Sequence, residues 1–277
     1  MTWELEGDVA AHYEQGVERD RLRTWGLLEA VRTREMFDRF LPPPPAVVLD
    51  VGGAEGAYAL PLARRGYTVH LVDPVPAHVT AARSASVAQP SATLASAEVG
   101  DARALSAGND SADAVLLLGP LYHLVEPGDR ARALREALRV LRPGGRMLAA
   151  AISRFASSYD ALRLGDYADP VFDRIVEDDL ARGIHQNPRV ADKPEWFTLS
   201  YFHTGDELRD EVVEAGFQEV EVLAVEGIGA GFDLNDALGD PRSRQAVLRT
   251  IRRLEREPSL MGASPHLMAI ATKARAG

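Results

Sequence analysis

Residues 47–56 read Val-Val-Leu-Asp-Val-Gly-Gly-Ala-Glu-Gly: an apolar run with an acidic residue near its end, passing at once into a glycine turn. A buried strand that ends in glycines lets the backbone approach a ligand closely, because no Cβ blocks the way and positive φ costs glycine little. A helix opening just after such a turn aims free N–H groups and a partial positive charge at whatever sits there. The stretch therefore points to a strand, turn and helix unit that binds a nucleoside cofactor.

The rest of the chain repeats that alternation. Apolar runs at 46–51, 68–72, 92–99, 114–118 and 146–152 read as buried parallel strands. Helical patterns fall between them at 57–65, 76–88 and 129–141, the last stopped by Pro143, Gly144 and Gly145. Before the first strand, residues 9–40 carry apolar side chains at helical spacing, and prolines 42–45 end that helix. The pattern breaks over 154–203, apart from a helical stretch at 171–182, and this segment reads as an insertion covering the site. It resumes at 204–215, with Thr204 as the expected cap and Gly216 as the stop. Two further strands at 219–225 and 266–273 flank a helix at 242–256. Such a series predicts an α/β open sheet, mostly parallel, with helices on both faces and ligands at the carboxyl ends of its strands.

At 277 residues the chain suits one large domain with insertions. Its formal net charge of -10 argues against a nucleic-acid substrate, which needs a concentrated positive surface. The arginines of 242–256 read as a solvated helix face paired with Glu255 and Glu257. Cysteine is absent, so disulfides, thiolate catalysis and Cys-based metal sites are excluded. The acidic start lacks the basic and apolar regions of a signal peptide, and no run approaches the ~20 apolar residues of a membrane span, so a cytoplasmic location is expected. Abundant Ala, Arg, Gly and Pro with little Lys suggest a bacterial source of high GC content.

Three aspartates stand where a nucleoside would meet three successive strands: Asp50, Asp73 and Asp101. A carboxylate there can accept two hydrogen bonds from a ribose diol, which suits Asp73, while Asp101 and the Ala102 backbone suit an adenine edge. Aspartates also cap helices and strand ends for purely structural reasons. With Gly119-Pro120-Leu121-Tyr122-His123-Leu124 after the fourth strand and Leu141-Arg142-Pro143-Gly144-Gly145 before the fifth, these residues resemble the class I S-adenosylmethionine-dependent methyltransferases of the small-molecule type. That family's first motif runs acidic-x-Gly-x-Gly-x-Gly. Here Asp50, Gly52, Ala54 and Gly56 hold those places, so Ala54 replaces the central glycine and Gly53 sits beside it.

The resemblance implies a Rossmann-like fold with a seven-stranded, mostly parallel sheet and an antiparallel last strand. It divides one structural domain into an N-terminal helical lid (1–45), a cofactor-binding core (46–153), a substrate-covering insertion (154–203) and a C-terminal completion of the core (204–277). It further implies S-adenosyl-L-methionine as cofactor. Asp50 would lie near the methionine amino group, the backbone of Gly52, Gly53, Ala54 and Gly56 near the methionine chain, and Asp73 with Pro74 on the ribose. Asp101 and Ala102 would border the base, Leu118 and Gly119 complete the cofactor-binding set, and Tyr13 would close over the cofactor from the lid.

On the acceptor side, His123 is the candidate general base, since histidine titrates near neutrality, and Tyr122 shapes the pocket. Arg154, Tyr159, His185, Trp196 and Tyr201, in or beside the insertion, are candidates for the acceptor wall. No metal is expected: the seven histidines show no pair at metal-ligand spacing on a helix, and no carboxylate cluster is evident. The expected partner is a small-molecule acceptor offering oxygen or nitrogen, with no nucleic acid and no membrane, and the protein is expected to be a monomer or homodimer. A natural-product acceptor fits that class. Two other readings stand beside this one. A nicotinamide reductase lacks its Gly-x-Gly-x-x-Gly fingerprint, since Ala54 and Ala57 hold the third and sixth places. A non-catalytic S-adenosylmethionine-binding regulatory or partner protein would keep the same binding residues.

Overall fold

The computed structural model describes residues 21–89 and 91–275. Five strands run through the first half of the described chain, with helices between all neighbours in sequence except β3 and β4: β1 (Val47–Val51), β2 (Thr68–Asp73), β3 (Ser96–Val99), β4 (Ala112–Leu117) and β5 (Leu141–Ile152). Four more follow: β6 (Ile184–His185) and β7 (Ser200–Tyr201), which pair with each other, then β8 (Gln218–Ala224) and β9 (His266–Thr272). The main sheet has seven strands in the order β3-β2-β1-β4-β5-β9-β8. Pairing is parallel from β3 across to β5, whereas β9 runs antiparallel to both β5 and β8. The expected sheet and its antiparallel last strand are therefore present.

Strand alternation sorts the core into two layers. Leu49, Val51, Val115, Leu117, Met147, Ala149, Leu267 and Ala269 face one side, where α5 (Pro127–Val140) and α8 (Gly205–Glu214) cover them with Ala133, Leu134, Leu208 and Val212. Val48, Ala114, Leu116, Leu148, Met268 and Ile270 face the other side, against α1 (Leu27–Phe40), α2 (Ala59–Arg64) and α3 (Pro76–Val87). This two-sided burial is why the strands read as continuous apolar runs. Met36 and Phe37 of α1 belong to the second layer, so residues 27–40 of the expected lid are part of the core. Residues 1–20 lie outside the described residues.

Several termini follow their local chemistry. Thr204 caps α8 with a complete capping box, its hydroxyl accepting from Glu207 N–H while Glu207 accepts from Thr204 N–H. The helix expected at 57–65 starts later, at Ala59, because the turn carries on through Gly56. The helix expected at 242–256 is α10 (Pro241–Arg252), which follows the short α9 (Asn235–Gly239). Residues 154–203 leave the sheet after β5 and form α6 (Ala156–Leu164) and α7 (Pro170–Arg182), then the β6-β7 pair. Among the described residues, no helix is long and apolar enough to cross a membrane.

Arg32 fastens α1 to the C-terminal strands. Fully buried, it donates to the Val225 carbonyl at 2.7 Å, pairs with Glu35 and reaches Glu255 at 2.7 Å. Glu255 therefore lies inside an ion-pair network rather than on the solvated face expected for it. Burial alone would raise the Glu255 carboxyl pKa, but Arg39 and Arg32 outweigh it and hold the group below the usual range. Arg32→Met should cost about 3 kcal/mol of stability, the lower end for breaking a buried pair, because Arg39 still reaches Glu255 at 2.5 Å. Urea unfolding measures this, and a loss under ~1 kcal/mol would show the clamp to be dispensable.

Candidate functional site

The strand order reverses between β1 and β4, with β2 and β3 to one side and β5 to the other. The crevice at such a switch point is where open α/β sheets bind ligands. A cleft of about 1070 Å³ opens there, large enough for a nucleoside cofactor and a small acceptor together. Its walls include thirteen of the residues singled out from the sequence: Asp50, Gly52, Gly53, Ala54, Gly56, Asp73, Pro74, Asp101, Ala102, Leu118, Gly119, Tyr122 and His123. Tyr13 lies outside the described residues.

The turn after β1 has no room for side chains at two places. A Cβ on Gly52, whose φ is +72°, would sit 2.8 Å from Pro120 at the start of α4 (Pro120–His123). A Cβ on Gly53 would meet the Asp50 carboxylate at 2.8 Å. Ala54 takes φ +46°, left-handed backbone that favours glycine. Its N–H donates to Asp73 Oδ2 at 2.8 Å, and the Val75 N–H donates to Asp73 Oδ1 at 2.9 Å. His78, one turn into α3, approaches the same Oδ1 at 3.0 Å. Asp73 thus ties the glycine turn to the start of α3 while still bordering the cleft.

Asp50 sits below that turn and is 1% exposed. Its Oδ2 has no hydrogen-bond partner among the described residues. Burial pushes its carboxyl up to about 7, and nearby Asp73 adds to the shift, while a hydrogen bond from the Ala59 backbone opposes it. A buried carboxylate oxygen without a partner, beside a turn with no space for a Cβ, fits an ammonium group presented from the cleft. At the other end, Asp101 is clasped by Arg103 at 2.6 Å, and Arg103 also reaches Asp129 at 2.6 Å. Asp101 thus borders the cleft with its carboxylate already shared.

The acceptor half is built from distant segments. Tyr122 and His123 on α4 meet edge to face, with ring centres 4.7 Å apart, and the Phe197 ring lies 5.7 Å from His123. Leu199, Ala150, Met268, Thr33 and Glu29 also line the cleft. Arg154, Tyr159, His185, Trp196 and Tyr201, expected here, do not line the cleft. Arg154 pairs with Glu207 at 2.6 Å, and Arg130 stacks over Tyr201 at 3.7 Å. Trp196 packs on Phe172 and donates its indole N–H to Asp166, while His185 is buried between Asp179 and the Trp196 carbonyl. Tyr159 is half-buried, its phenol pKa raised by burial and then by Glu226. Aromatic and charged side chains in an irregular segment resemble a pocket lining in sequence, but these ones hold the insertion to itself and to the core.

One grouping was not legible in the sequence. Glu29, Glu226 and His266 bring oxygen and nitrogen atoms within 4.8 Å of one another, so carboxylates do cluster here, contrary to expectation. Arg21 pairs with Glu29, and His266 Nδ1 lies 2.6 Å from Glu226 Oε1. Burial disfavours the imidazolium, but Glu29 and Glu226 outweigh it and hold the ring at about 9. Two cations then balance two carboxylates, so these side chains form an ion-pair cluster. Residues 197 and 40 positions apart carry no local signal of it.

Comparison with known proteins points the same way as the geometry. Residues 48–145 match a family model described as a methyltransferase domain. An uncharacterised methyltransferase of Mycobacterium tuberculosis is 39% identical over 113 residues, which is 41% of this chain and 42% of that protein. A ubiquinone biosynthesis O-methyltransferase of Methylocella silvestris is 35% identical over 124 residues, 44% of this chain and 46% of its own. The chain thus spans less than half the length of the curated relatives it matches. A crystal structure titled as a SAM-dependent methyltransferase of Methanosarcina mazei superposes with a TM-score of 0.58 at 18% identity, covering 87% of this chain and 98% of that one.

Because an ammonium pairs with the ionised form of Asp50, affinity for S-adenosylmethionine should rise with pH up to about 7 and be highest between there and about 8, where the ligand's own amino group begins to lose its proton. Calorimetric titration between pH 5.5 and 8.5 measures this. Asp50→Asn should flatten the dependence, and a flat profile in the unmodified protein would remove Asp50 from the ammonium site.

Proposed function

The chain carries a methyltransferase domain on the class I S-adenosylmethionine-dependent methyltransferase fold, and from that premise we propose that it methylates an oxygen or nitrogen of a small-molecule metabolite. The observation that carries the reading is the buried, unpartnered Oδ2 of Asp50 beneath a glycine turn that has no space for side chains. An ammonium and a neighbouring carbon chain are what such a floor accepts.

Asp50 would hold the methionine amino group, the backbone from Gly52 to Gly56 would border the methionine chain, and Asp73 would take the ribose hydroxyls. Ala102 would flank the base, with Asp101 and Arg103 at its edge, while Leu118 and Gly119 would border the methionine chain beside the glycine turn. When bound, S-adenosylmethionine supplies a methyl group on a positively charged sulfur, already activated for displacement. The protein's share is then alignment and proton handling, and alignment alone can contribute ~7–11 kcal/mol. Tyr122 and His123 give the acceptor half an aromatic wall, which suits a flat, partly apolar molecule. The name of the Methylocella relative, a ubiquinone biosynthesis O-methyltransferase, favours oxygen as the acceptor atom.

Calorimetry with S-adenosylmethionine, S-adenosylhomocysteine and NADH tests the cofactor directly. Binding of the first two without NADH supports the proposal, and NADH binding alone would replace it with a nicotinamide enzyme. In the same assay Asp73→Asn should weaken S-adenosylmethionine ~10- to 100-fold, about 1.5–3 kcal/mol for a charged hydrogen bond. Unchanged affinity would take Asp73 off the ribose.

A further inference from the structure

The backbone alone holds Asp73 in place. The Ala54 N–H donates to its Oδ2 at 2.8 Å from the glycine turn, and the Val75 N–H donates to its Oδ1 at 2.9 Å from the start of α3. With each oxygen tied from a different segment, the carboxylate needs no side chain to orient it. A side chain nevertheless meets it: His78 Nδ1 lies 3.0 Å from Oδ1.

His78 is the third residue of α3, which opens at Pro76 just beyond the end of β2. Side chains in the first turn of a helix lean back toward its N-terminus, and here that direction leads to Asp73. Both residues line the cleft, the His78 side chain 13% exposed and the Asp73 side chain 5%. The imidazole therefore forms part of the wall at the place where a ribose would meet Asp73.

The hydrogen-bond capacity of Asp73 decides what the ring is for. An ionised carboxylate offers about four lone-pair directions, two on each oxygen. Val75 and His78 take both on Oδ1, and Ala54 takes one on Oδ2. One is left, whereas a ribose diol brings two O–H donors. A second hydroxyl without an acceptor, in a wall this poorly exposed, would lose its water and gain nothing.

We infer that His78 is a second ribose-binding residue: it keeps its bond to Asp73 Oδ1, one ribose hydroxyl donates to Asp73 Oδ2, and the imidazole partners the other hydroxyl through Nε2. This deepens the methyltransferase reading and rests on it, dividing between two side chains the diol that Asp73 alone cannot satisfy. The pairing does not depend on the charge of the ring. A hydroxyl both donates and accepts, so it meets Nε2 of the neutral imidazole as a donor and the N–H of the imidazolium as an acceptor. The two hydroxyls are then read by different residues, and the cleft selects a nucleoside that carries both.

Cycles that pair a side-chain change with the loss of one ligand hydroxyl read this without any methyl acceptor. S-adenosylhomocysteine and its 2′-deoxy and 3′-deoxy analogues are titrated calorimetrically into the unmodified protein, His78→Leu and His78→Asn, with circular dichroism confirming the fold of each variant. Asparagine keeps an N–H that can still reach Asp73 Oδ1 but has no second ring nitrogen. In the unmodified protein, removing the hydroxyl held by His78 should weaken binding ~3- to 10-fold. In both variants the same removal should cost less than ~2-fold, while removing the other hydroxyl costs as much as before. If each hydroxyl is worth the same in the variants as in the unmodified protein, His78 serves only to hold Asp73 and the proposal is overturned, most plainly where asparagine restores what leucine loses. A hydroxyl worth more in the variants would also overturn it, by showing that the ring competes for Oδ1 instead of sharing the ribose. Failure of S-adenosylhomocysteine to bind the unmodified protein is a different result, one that removes the methyltransferase reading of the cleft itself.

Discussion

The site depends on how closely the turn after β1 passes the start of α4. At Gly52 the backbone runs so near Pro120 that a Cβ would lie 2.8 Å from the ring. That contact joins the loops after β1 and β4, the two strands between which the sheet order reverses. Any side chain at Gly52 would prise the loops apart, and the cleft floor with them. Ala54 shows what the turn demands of its sequence: a left-handed conformation, normally costing about 1–2 kcal/mol outside glycine, is held there by its N–H bond to Asp73. The same carboxylate that borders the cleft therefore also holds the turn in shape.

Electrostatics give the cleft its direction. Asp50 and Asp73 stand near each other at the ends of adjacent strands, and burial together with mutual repulsion raises the Asp50 carboxyl to about 7. An apolar strand end would avoid that penalty, so the acidic pair makes physical sense only if a cation offsets it. At the opposite end, Arg103 already answers Asp101 and Asp129. The free demand for positive charge is thus concentrated at Asp50, beneath the glycine turn.

The cofactor half was legible in the sequence because its residues lie at the ends of successive strands. Asp50, Asp73 and Asp101 each stand at or just past the end of a strand, and parallel pairing carries those carboxyl ends to one edge of the sheet. The acceptor half was not, because it is assembled by tertiary contact. Glu29 and Thr33 come from α1, Ala150 from β5, Met268 from β9 and Leu199 from the insertion, and no periodicity links them. The insertion misled for a related reason. Its histidine, tryptophan and tyrosine have the composition of a pocket, yet Trp196 fills a small core with Phe172 and Ile175, and Tyr201 lies under the Arg130 guanidinium.

Those buried side chains nevertheless shape the cleft through the backbone. Phe197 has φ +67° and ψ -166°, a conformation costing a non-glycine residue roughly 1–3 kcal/mol. It persists because its neighbours are pinned on both sides. His185 holds the Trp196 carbonyl at 2.7 Å, and Asn187 donates to the carbonyls of Lys193 and Phe197 at 2.8 and 3.0 Å. The bend sets the Phe197 ring 6.2 Å from Tyr122 and 5.7 Å from His123, and two residues later Leu199 reaches the cleft wall. His185 thus acts at a distance from the cleft: its hydrogen bonds offset the strain that seats an aromatic ring against Tyr122 and His123, which do line it. Of this segment Leu199 faces the cleft, so a substitution there would reshape the wall, while the polar groups behind it must stay to hold the bend.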